Sequence, residues 1–323
     1  MTTITFEQQQ YDCREDESVL ACLTRHGLTL PSSCQSGVCQ TCMMRATAGR
    51  VPERAQQGLQ PTQRVQGFFL ACVCHPTEDL TVERADTLKT YRGMVCGKTM
   101  LNGDVARIRI TRPEGFDYHP GQFINVLRDE GRVVRSYSLA SIDDEALELH
   151  VKAIPGGAMS EWLVHRLAVG SPLTFQGPIG NCFYLEGKPD QPMVMVGVST
   201  GLAPLYGIVR DALARGHRGP IRVYHASLAA SGLYYVEEMR RLAAAHDNLH
   251  YIPCVLHGPA PEGGEVGAVD AIVAATGDFS GTRVFLCGDP PIVNSLRQKV
   301  YLGGAHMLEI FSDPFDPAPS PTA

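Results

Sequence analysis

Hydrophobic and polar positions change rhythm twice along this chain. Before the first change, a short strand-like run, Ile4 to Phe6, precedes a helical stretch from Val19 to Arg25 and a Ser/Gly/Cys-rich loop from Ser32 to Cys42. Glu83 to Arg92 is polar and without periodicity, which suits a linker. From Gly93 to about Gly187, short apolar runs such as Ala106–Ile110, Gln122–Leu127 and Leu147–Ala153 are bounded by Gly or Pro. That pattern predicts an antiparallel barrel, interrupted by one helix over Met159–Leu167. From Pro192 strands and helices alternate: strands at Met193–Val196, Ile221–His225 and Arg283–Leu286, helices at Leu205–Arg215, Tyr234–Ala245 and Ile292–Val300. Such alternation predicts a parallel sheet of βαβ units. The expected organisation is a Cys-rich domain over 1–85, a linker over 86–92, an antiparallel barrel over 93–190, a parallel α/β domain over 191–315 and a disordered Pro/Ser/Ala-rich tail over 316–323.

Charge narrows the function classes. The net charge is −6 and no basic tract occurs, so nothing points to nucleic acid or an anionic membrane as partner. The N-terminus lacks a basic region followed by an apolar run, so it does not read as a signal peptide. No segment approaches the ~20 apolar residues of a membrane helix. The expectation is a cytoplasmic protein. Its eleven cysteines are then many for a compartment where disulfides are rare, and point to metal or redox chemistry.

Seven of the eleven cysteines fall in the first 85 residues. Cys34, Cys39 and Cys42 are spaced C-x4-C-x2-C, and Cys72 follows after a long gap, the spacing of a plant-type [2Fe–2S] site. Three thiolates on one tight loop wrap one side of a two-iron cluster, and a distant segment supplies the fourth. Ser33, Ser36 and Gly37 are small enough for backbone N–H groups to approach the sulfurs and tune the potential. Structural zinc sites pair their ligands two and two, which this spacing does not match. Cys74 competes with Cys72, since on a strand the two would face the same side. Cys13, Cys22, Cys96, Cys182 and Cys254 read as buried small hydrophobes.

Further along, Arg135-Ser136-Tyr137-Ser138 closes a strand-like run, and Pro155-Gly156-Gly157-Ala158-Met159-Ser160 stands just before the expected helix. Gly177-Pro178-Ile179-Gly180 follows. Glycines and a Ser at a helix N-terminus form an anion site. Gly197-Val198-Ser199-Thr200-Gly201-Leu202-Ala203-Pro204 joins a strand to a helix, where dinucleotide phosphates bind in α/β sheets. Cys287-Gly288-Asp289-Pro290 ends a late strand, and Phe311-Ser312-Asp313-Pro314-Phe315 comes near the C-terminus.

With these motifs in this order, the sequence resembles the ferredoxin–NADP reductase superfamily, and more closely the reductase components of ring-hydroxylating dioxygenases and multicomponent monooxygenases. The resemblance spans essentially the whole chain. It implies a multidomain protein: an N-terminal α+β β-grasp ferredoxin domain, an antiparallel β-barrel FAD domain and an α/β parallel-sheet NAD domain. The "LAC" stretch Leu70-Ala71-Cys72 selects Cys72 as fourth ligand. Arg135 is implied to contact the flavin diphosphate, Tyr137 to pack on the isoalloxazine and Ser138 to hydrogen-bond its N5 region, with Gly157 and Ser160 at the FAD pyrophosphate. FAD is implied over FMN because FMN-using relatives carry the ferredoxin domain at the other end. Gly197, Thr200, Gly201 and Pro204 are implied for the dinucleotide, although Val198 and Ser199 stand where the family commonly has glycine. Cys287 and Gly288 match its CGxP motif beside the nicotinamide. Phe315, with Phe311 behind it, is the candidate for the aromatic that covers the flavin and yields to nicotinamide.

NADH is expected over NADPH because His225 to Ser231 contains no Arg or Lys to pair a 2′-phosphate. The implied circuit runs from NADH through FAD and [2Fe–2S] to an oxygenase component or another one-electron acceptor protein. Two alternatives carry the same residues: the same circuit serving nucleotide-sugar deoxygenation, as in CDP-6-deoxy-glucoseen reductase-like proteins, and a non-enzymatic redox module.

Overall fold

The structure, a computed structural model, describes residues 2–142 and 145–315, and divides into two compact units, Met1–Leu88 and Lys89–Ala323. The tail expected over 316–323 lies outside the described residues.

In the first unit, strands β1 (Thr2–Phe6), β2 (Gln9–Cys13), β3 (Met43–Ala48), β4 (Phe68–Leu70) and β5 (Leu80–Arg84) form one mixed sheet in the order β2-β1-β5-β3-β4. The β1–β2 hairpin turns through Glu7 and Gln8, both at positive φ, the geometry of a tight two-residue turn. Helix α1 (Val19–Arg25) starts where the Ser18 hydroxyl accepts from the Ala21 N–H at 3.2 Å. It buries Val19, Leu20, Cys22 and Leu23 in one core with Ile4, Phe6, Phe69 and Leu80. A helix laid on a mixed sheet whose first strand pairs in parallel with its last is the β-grasp arrangement.

The second unit opens with six antiparallel strands: β6 (Thr90–Met100), β7 (Val105–Thr111), β8 (Phe123–Arg128), β9 (Val133–Ser138), β10 (Ala146–Lys152) and β11 (Pro172–Ile179), in the order β10-β7-β6-β11-β8-β9. A bridge between Leu139 and Leu149 brings the two end strands together and closes the sheet toward a barrel. Two expectations need correction here. Residues 90–92, expected in the linker, begin β6, where Thr90, Tyr91 and Arg92 pair with Gln176, Phe175 and Thr174. Their side chains are exposed or half-buried, which makes a paired strand read as polar. The helix expected over Met159–Leu167 is present over 160–166, its last five residues, Trp162–Arg166, being π-helical. Cys96 is exposed on β6, not buried; Cys13, Cys22, Cys182 and Cys254 are buried as expected.

The chain then forms a fully parallel sheet from β12 (Met193–Val198), β13 (Ile221–Ser227), β14 (Leu249–Val255), β15 (Glu265–Val266), β16 (Arg283–Gly288) and β17 (Ile310–Pro314). Helices α3 (Leu202–Ala214), α4 (Val236–Ala244), α5 (Val269–Ala274) and α6 (Pro290–Leu302) connect them; α2 (Pro61–Val65) belongs to the first unit. The sheet order is β15-β14-β13-β12-β16-β17, so the winding reverses between β12 and β16. Ligands of such sheets bind at the carboxyl ends of the strands at that reversal. No helix among the described residues is long and apolar enough to cross a membrane.

Three glycines let the two strand ends touch. A Cβ on Gly201 would stand 2.2 Å from the Cys287 carbonyl oxygen, one on Gly288 2.4 Å from the Val198 carbonyl oxygen, and one on Gly197 2.8 Å from Gly201. A buried polar network joins the barrel to this sheet. The Glu148 carboxylate accepts from Tyr235 Oη at 3.3 Å and pairs with His150 Nε2 at 2.9 Å, while His150 Nδ1 lies 3.1 Å from Tyr234 Oη. Burial holds His150 below its usual pKa, against the pull of Glu148. Overpacking a fixed contact costs about 1–3 kcal/mol, so Gly201→Ala is expected to lower the unfolding temperature of the second unit by several degrees. Calorimetry that found the transition unchanged would show that the strand ends have room to part.

Candidate functional site

Two segments of the first unit converge at the cysteines. The Ser32–Cys42 loop reverses through Gln35, Gly37 and Gln40, all at positive φ, and a Cβ on Gly37 would come within 3.1 Å of Val73. Cys34 Sγ accepts from the backbone N–H of Ser36 at 3.5 Å and of Cys39 at 3.4 Å. Hydrogen bonds from the Ser36 hydroxyl and from the Ser36, Cys39 and Val38 amides lower the Cys34 thiol to about 5, which favours the thiolate that binds metal. Cys34 and Cys39 are exposed at the loop surface, and Cys42 is buried beneath them. Cys72 reaches this group: burial and then its contact with Cys42 raise its thiol to about 11, against a hydrogen bond from Gly37.

Cys74 does not reach the loop. Ala71–Val73 is a turn of 3-10 helix, so the strand alternation that would align Cys72 with Cys74 is broken. Cys74 is fully buried in the core, and burial, then Cys13, pushes its thiol up to about 12. A donor set of three loop thiols and one from a second segment, with backbone N–H groups already aimed at sulfur, fits a [2Fe–2S] cluster.

In the second unit, Arg135 and Tyr137 project from the same side of β9, two residues apart. Both are half-buried, and among the described residues the Arg135 guanidinium donates only to the Val134 carbonyl, at 2.6 Å. Burial raises the Tyr137 phenol far above its usual value. Gly157 has no room for a side chain: a Cβ there would meet Ser160 Oγ at 2.4 Å and the Ile154 carbonyl at 2.8 Å. The Ser160 hydroxyl accepts from the Ile154 N–H at 3.1 Å, closing this turn on itself and leaving its proton to donate outward. Arg128, not singled out from sequence, donates to the Ala158 carbonyl at 2.7 Å and lies over the Trp162 ring. A guanidinium with N–H groups to spare, a second cation beside a glycine turn and a neighbouring half-buried phenol fit a flavin with its diphosphate.

At the sheet reversal, Gly197 and Gly201 bracket the turn between β12 and α3, and Thr200 between them is half-buried. Pro204 is buried in the first turn of α3, where its missing N–H costs no hydrogen bond. Ser199, where the family has glycine, holds a left-handed conformation at φ 54°. Lys152, from barrel strand β10, places Nζ 3.5 Å from its hydroxyl and 3.3 Å from Asp104. Beneath the turn lies fully buried His225, whose Nδ1 is 3.1 Å from Tyr251 Oη and whose Nε2 has no hydrogen-bond partner among the described residues. A helix N-terminus behind a glycine turn, with a lysine nearby, fits a dinucleotide diphosphate.

The two halves meet at the C-terminal strand. β17 pairs with β16 in parallel, placing Asp313 beside Cys287, and the Phe315 N–H donates to the Gly288 carbonyl at 2.8 Å. Ser138 Oγ, from the barrel, donates to Asp313 Oδ2 at 3.3 Å. Phe311 is buried and stacks on Phe285 at 5.3 Å between centroids, so it is core, while Phe315 stays half-buried beside the turn. Sequence reading missed Asp313, whose only signal was an acid in the Ser-Asp-Pro-Phe stretch, and Lys152. Burial raises the Asp313 carboxyl to about 6, opposed by the Ser138 hydroxyl. The fold therefore favours its protonated form. That contribution to stability is complete below about pH 4 and is lost as pH rises through about 6.

Cys72→Ser is expected to abolish the visible spectrum of the cluster, and Cys74→Ser to keep it at some cost in stability; the reverse result would exchange ligand and core thiol. Asp313→Asn is expected to flatten the fall in unfolding temperature between pH 4 and 7, and Ser138→Ala to move that fall to higher pH. Parallel profiles for all three proteins would remove Asp313 as the titrating group.

Comparison with known proteins places the chain in a family. The family model described as 2Fe-2S iron-sulfur cluster binding domain matches residues 3–77, the oxidoreductase FAD-binding domain residues 93–184 and the oxidoreductase NAD-binding domain residues 195–298. The chain is 31% identical over 309 residues to the ferredoxin–NAD(P)+ reductase component of the Pseudomonas putida naphthalene 1,2-dioxygenase system, covering 93% of this chain and 94% of that one. It is also 31% identical to the reductase subunit of an aromatic O-demethylase from Amycolatopsis, covering 89% of this chain and 90% of that one. Among solved structures, the Amycolatopsis cytochrome P450 reductase GcoB superposes with a TM-score of 0.67 at 29% identity, over 98% of this chain and 99% of that one. The chain therefore belongs to the ferredoxin–NAD(P)+ reductase components of oxygenase systems: it is an oxidoreductase flavoprotein with [2Fe–2S], FAD-binding and NAD-binding domains.

Proposed function

We propose that this protein oxidises NADH in the cytoplasm and passes electrons singly to the oxygenase component of a dioxygenase or monooxygenase. The observation that carries the reading is the meeting of Ser138, Asp313 and Cys287 at the sheet reversal, where a barrel residue and a nucleotide-sheet residue share one hydrogen-bonded junction. When bound, FAD accepts an electron pair as hydride and the [2Fe–2S] cluster carries electrons one at a time.

The chain's own residues supply placement. Cys34, Cys39, Cys42 and Cys72 hold the two irons. Arg135 neutralises the flavin diphosphate, Gly157 and Ser160 shape the turn that receives its pyrophosphate, and Tyr137 packs on the isoalloxazine. Ser138 would lie at the N5 region, and Asp313, to which its hydroxyl donates, orients that hydroxyl. Gly197, Thr200, Gly201, Pro204 and Gly288 shape the turns for the dinucleotide, with Lys152 as a cation beside them. Cys287 stands at the nicotinamide. Phe315, held by its N–H at the Gly288 carbonyl, would shield a bound flavin from water and give way to nicotinamide.

The preference for NADH is supported by what surrounds the second strand. His225 to Ser231 carries no cation. The nearest later arginines are engaged: Arg240 donates to Glu237 at 2.7 Å and to the Glu262 carbonyl at 2.8 Å, and Arg241 to Glu238 at 3.1 Å.

The test uses two acceptors. Cys39→Ser is expected to keep NADH-driven ferricyanide reduction and to lose most cytochrome c reduction. The wild type should favour NADH over NADPH in kcat/KM by roughly tenfold or more, about 1.4 kcal/mol per tenfold, with Ser231→Arg narrowing the gap. Equal loss of both activities would overturn the order of carriers, and a preference for NADPH the choice of nucleotide.

A further inference from the structure

Most buried cysteine sulfurs with a polar partner contact a backbone carbonyl: Cys13 that of Glu17, Cys22 that of Asp12 and Cys254 that of Ile252. One pair differs. Cys182, in the irregular segment between β11 and β12, places Sγ 3.8 Å from Sγ of Cys287 at the end of β16. Cys287 has no exposed surface, and Cys182 is 4% exposed. The two sulfurs are in van der Waals contact at the junction where barrel chain passes into nucleotide sheet.

We propose that Cys182 and Cys287 form an oxidisable dithiol, which hydrogen peroxide converts to a disulfide that arrests NADH oxidation. The proposal rests on the placing of nicotinamide beside Cys287. A disulfide needs its sulfurs ~2.05 Å apart, so they must close by less than 2 Å. Cys182 lies outside regular structure, whereas Cys287 is held within β16. The Cys182 sulfur, nearer the surface, attacks one peroxide oxygen; the O–O bond breaks, a sulfenic acid forms and the first water leaves. The Cys287 sulfur then attacks the sulfenic sulfur, and the second water leaves. Two S–H bonds and one O–O bond are broken, one S–S bond forms, and the two electrons from the thiols reduce the peroxide to two waters. Burial keeps the Cys287 thiol protonated and unreactive in the closed molecule. Reaction is therefore confined to openings of the irregular segment that carries Cys182. Once formed, the bond withdraws the Cys287 sulfur from the nicotinamide and fixes the passage between barrel and sheet.

The fully loaded protein, treated with hydrogen peroxide and quenched with catalase, is assayed for NADH–ferricyanide reduction and digested for mass spectrometry. The expected result is a Cys182–Cys287 linked peptide, lighter by two hydrogens, that accumulates in step with a roughly tenfold or greater loss of rate and is reversed by dithiothreitol. Cys182→Ala should start at the wild-type rate and resist peroxide, and Cys182→Ser should do the same if alanine is poorly tolerated. Activity lost without the linked peptide, a linked peptide with full activity, or Cys182 variants as sensitive as wild type would each overturn the proposal. Saturating NAD+ should slow the linkage. A linkage that forms equally fast with NAD+ present leaves the dithiol standing and overturns the placing of nicotinamide beside Cys287.

Discussion

The contact between the ends of β12 and β16 is the constraint on which the second unit depends. Parallel strands lie about 4.8 Å apart, but the turns that leave them must separate, one into α3 and one into α6. Here they instead touch, because Gly201 sits against the Cys287 carbonyl and Gly288 against that of Val198. With no side chains between them, the α3 N-terminus and the Cys287 thiol share one small volume. β17 then adds Asp313 and Phe315 at the same level, and β9 of the barrel delivers Ser138 from the opposite side. The glycines thus serve the geometry of the protein as much as the approach of a ligand. Their presence in a dinucleotide motif has two causes that sequence alone merges.

The first unit follows a different rule. Its loop of small residues turns amide N–H groups toward sulfur, so the donor set is polarised before any metal arrives. The same short segment sends one thiol out to the site and keeps the next in the apolar core, where its protonated form is favoured. Division of labour between Cys72 and Cys74 therefore comes from one 3-10 turn and from burial, both invisible to a count of cysteines.

Features set by short-range chemistry were legible in the sequence. The C-x4-C-x2-C spacing, the Arg-x-Tyr-Ser strand end, the strand–turn–helix at Gly197 to Pro204 and the alternation of the parallel sheet all depend on neighbours a few residues apart. What depended on distant pairing was not legible. Thr90 to Arg92 is polar as a string and a strand only because β11 lies beside it. Asp313 is an unremarkable acid until β17 aligns it with Cys287 and the barrel brings Ser138 to it. Lys152 gains its meaning from a turn 47 residues away. Cys182 was correctly read as buried, yet its partner is 105 residues distant.

Ser199 has a consequence for the energetics of recognition. A glycine at its position would reach the left-handed conformation freely and would also wander from it. Serine is restrained in every conformation, and in this turn the strained one is held by the fold below and by a lysine reaching over from the barrel. The entropy of fixing the turn is thus surrendered when the protein folds rather than when its ligand arrives. A preset turn has less to reorganise on each encounter, so it favours rapid capture and release of a nucleotide that must come and go once per turnover.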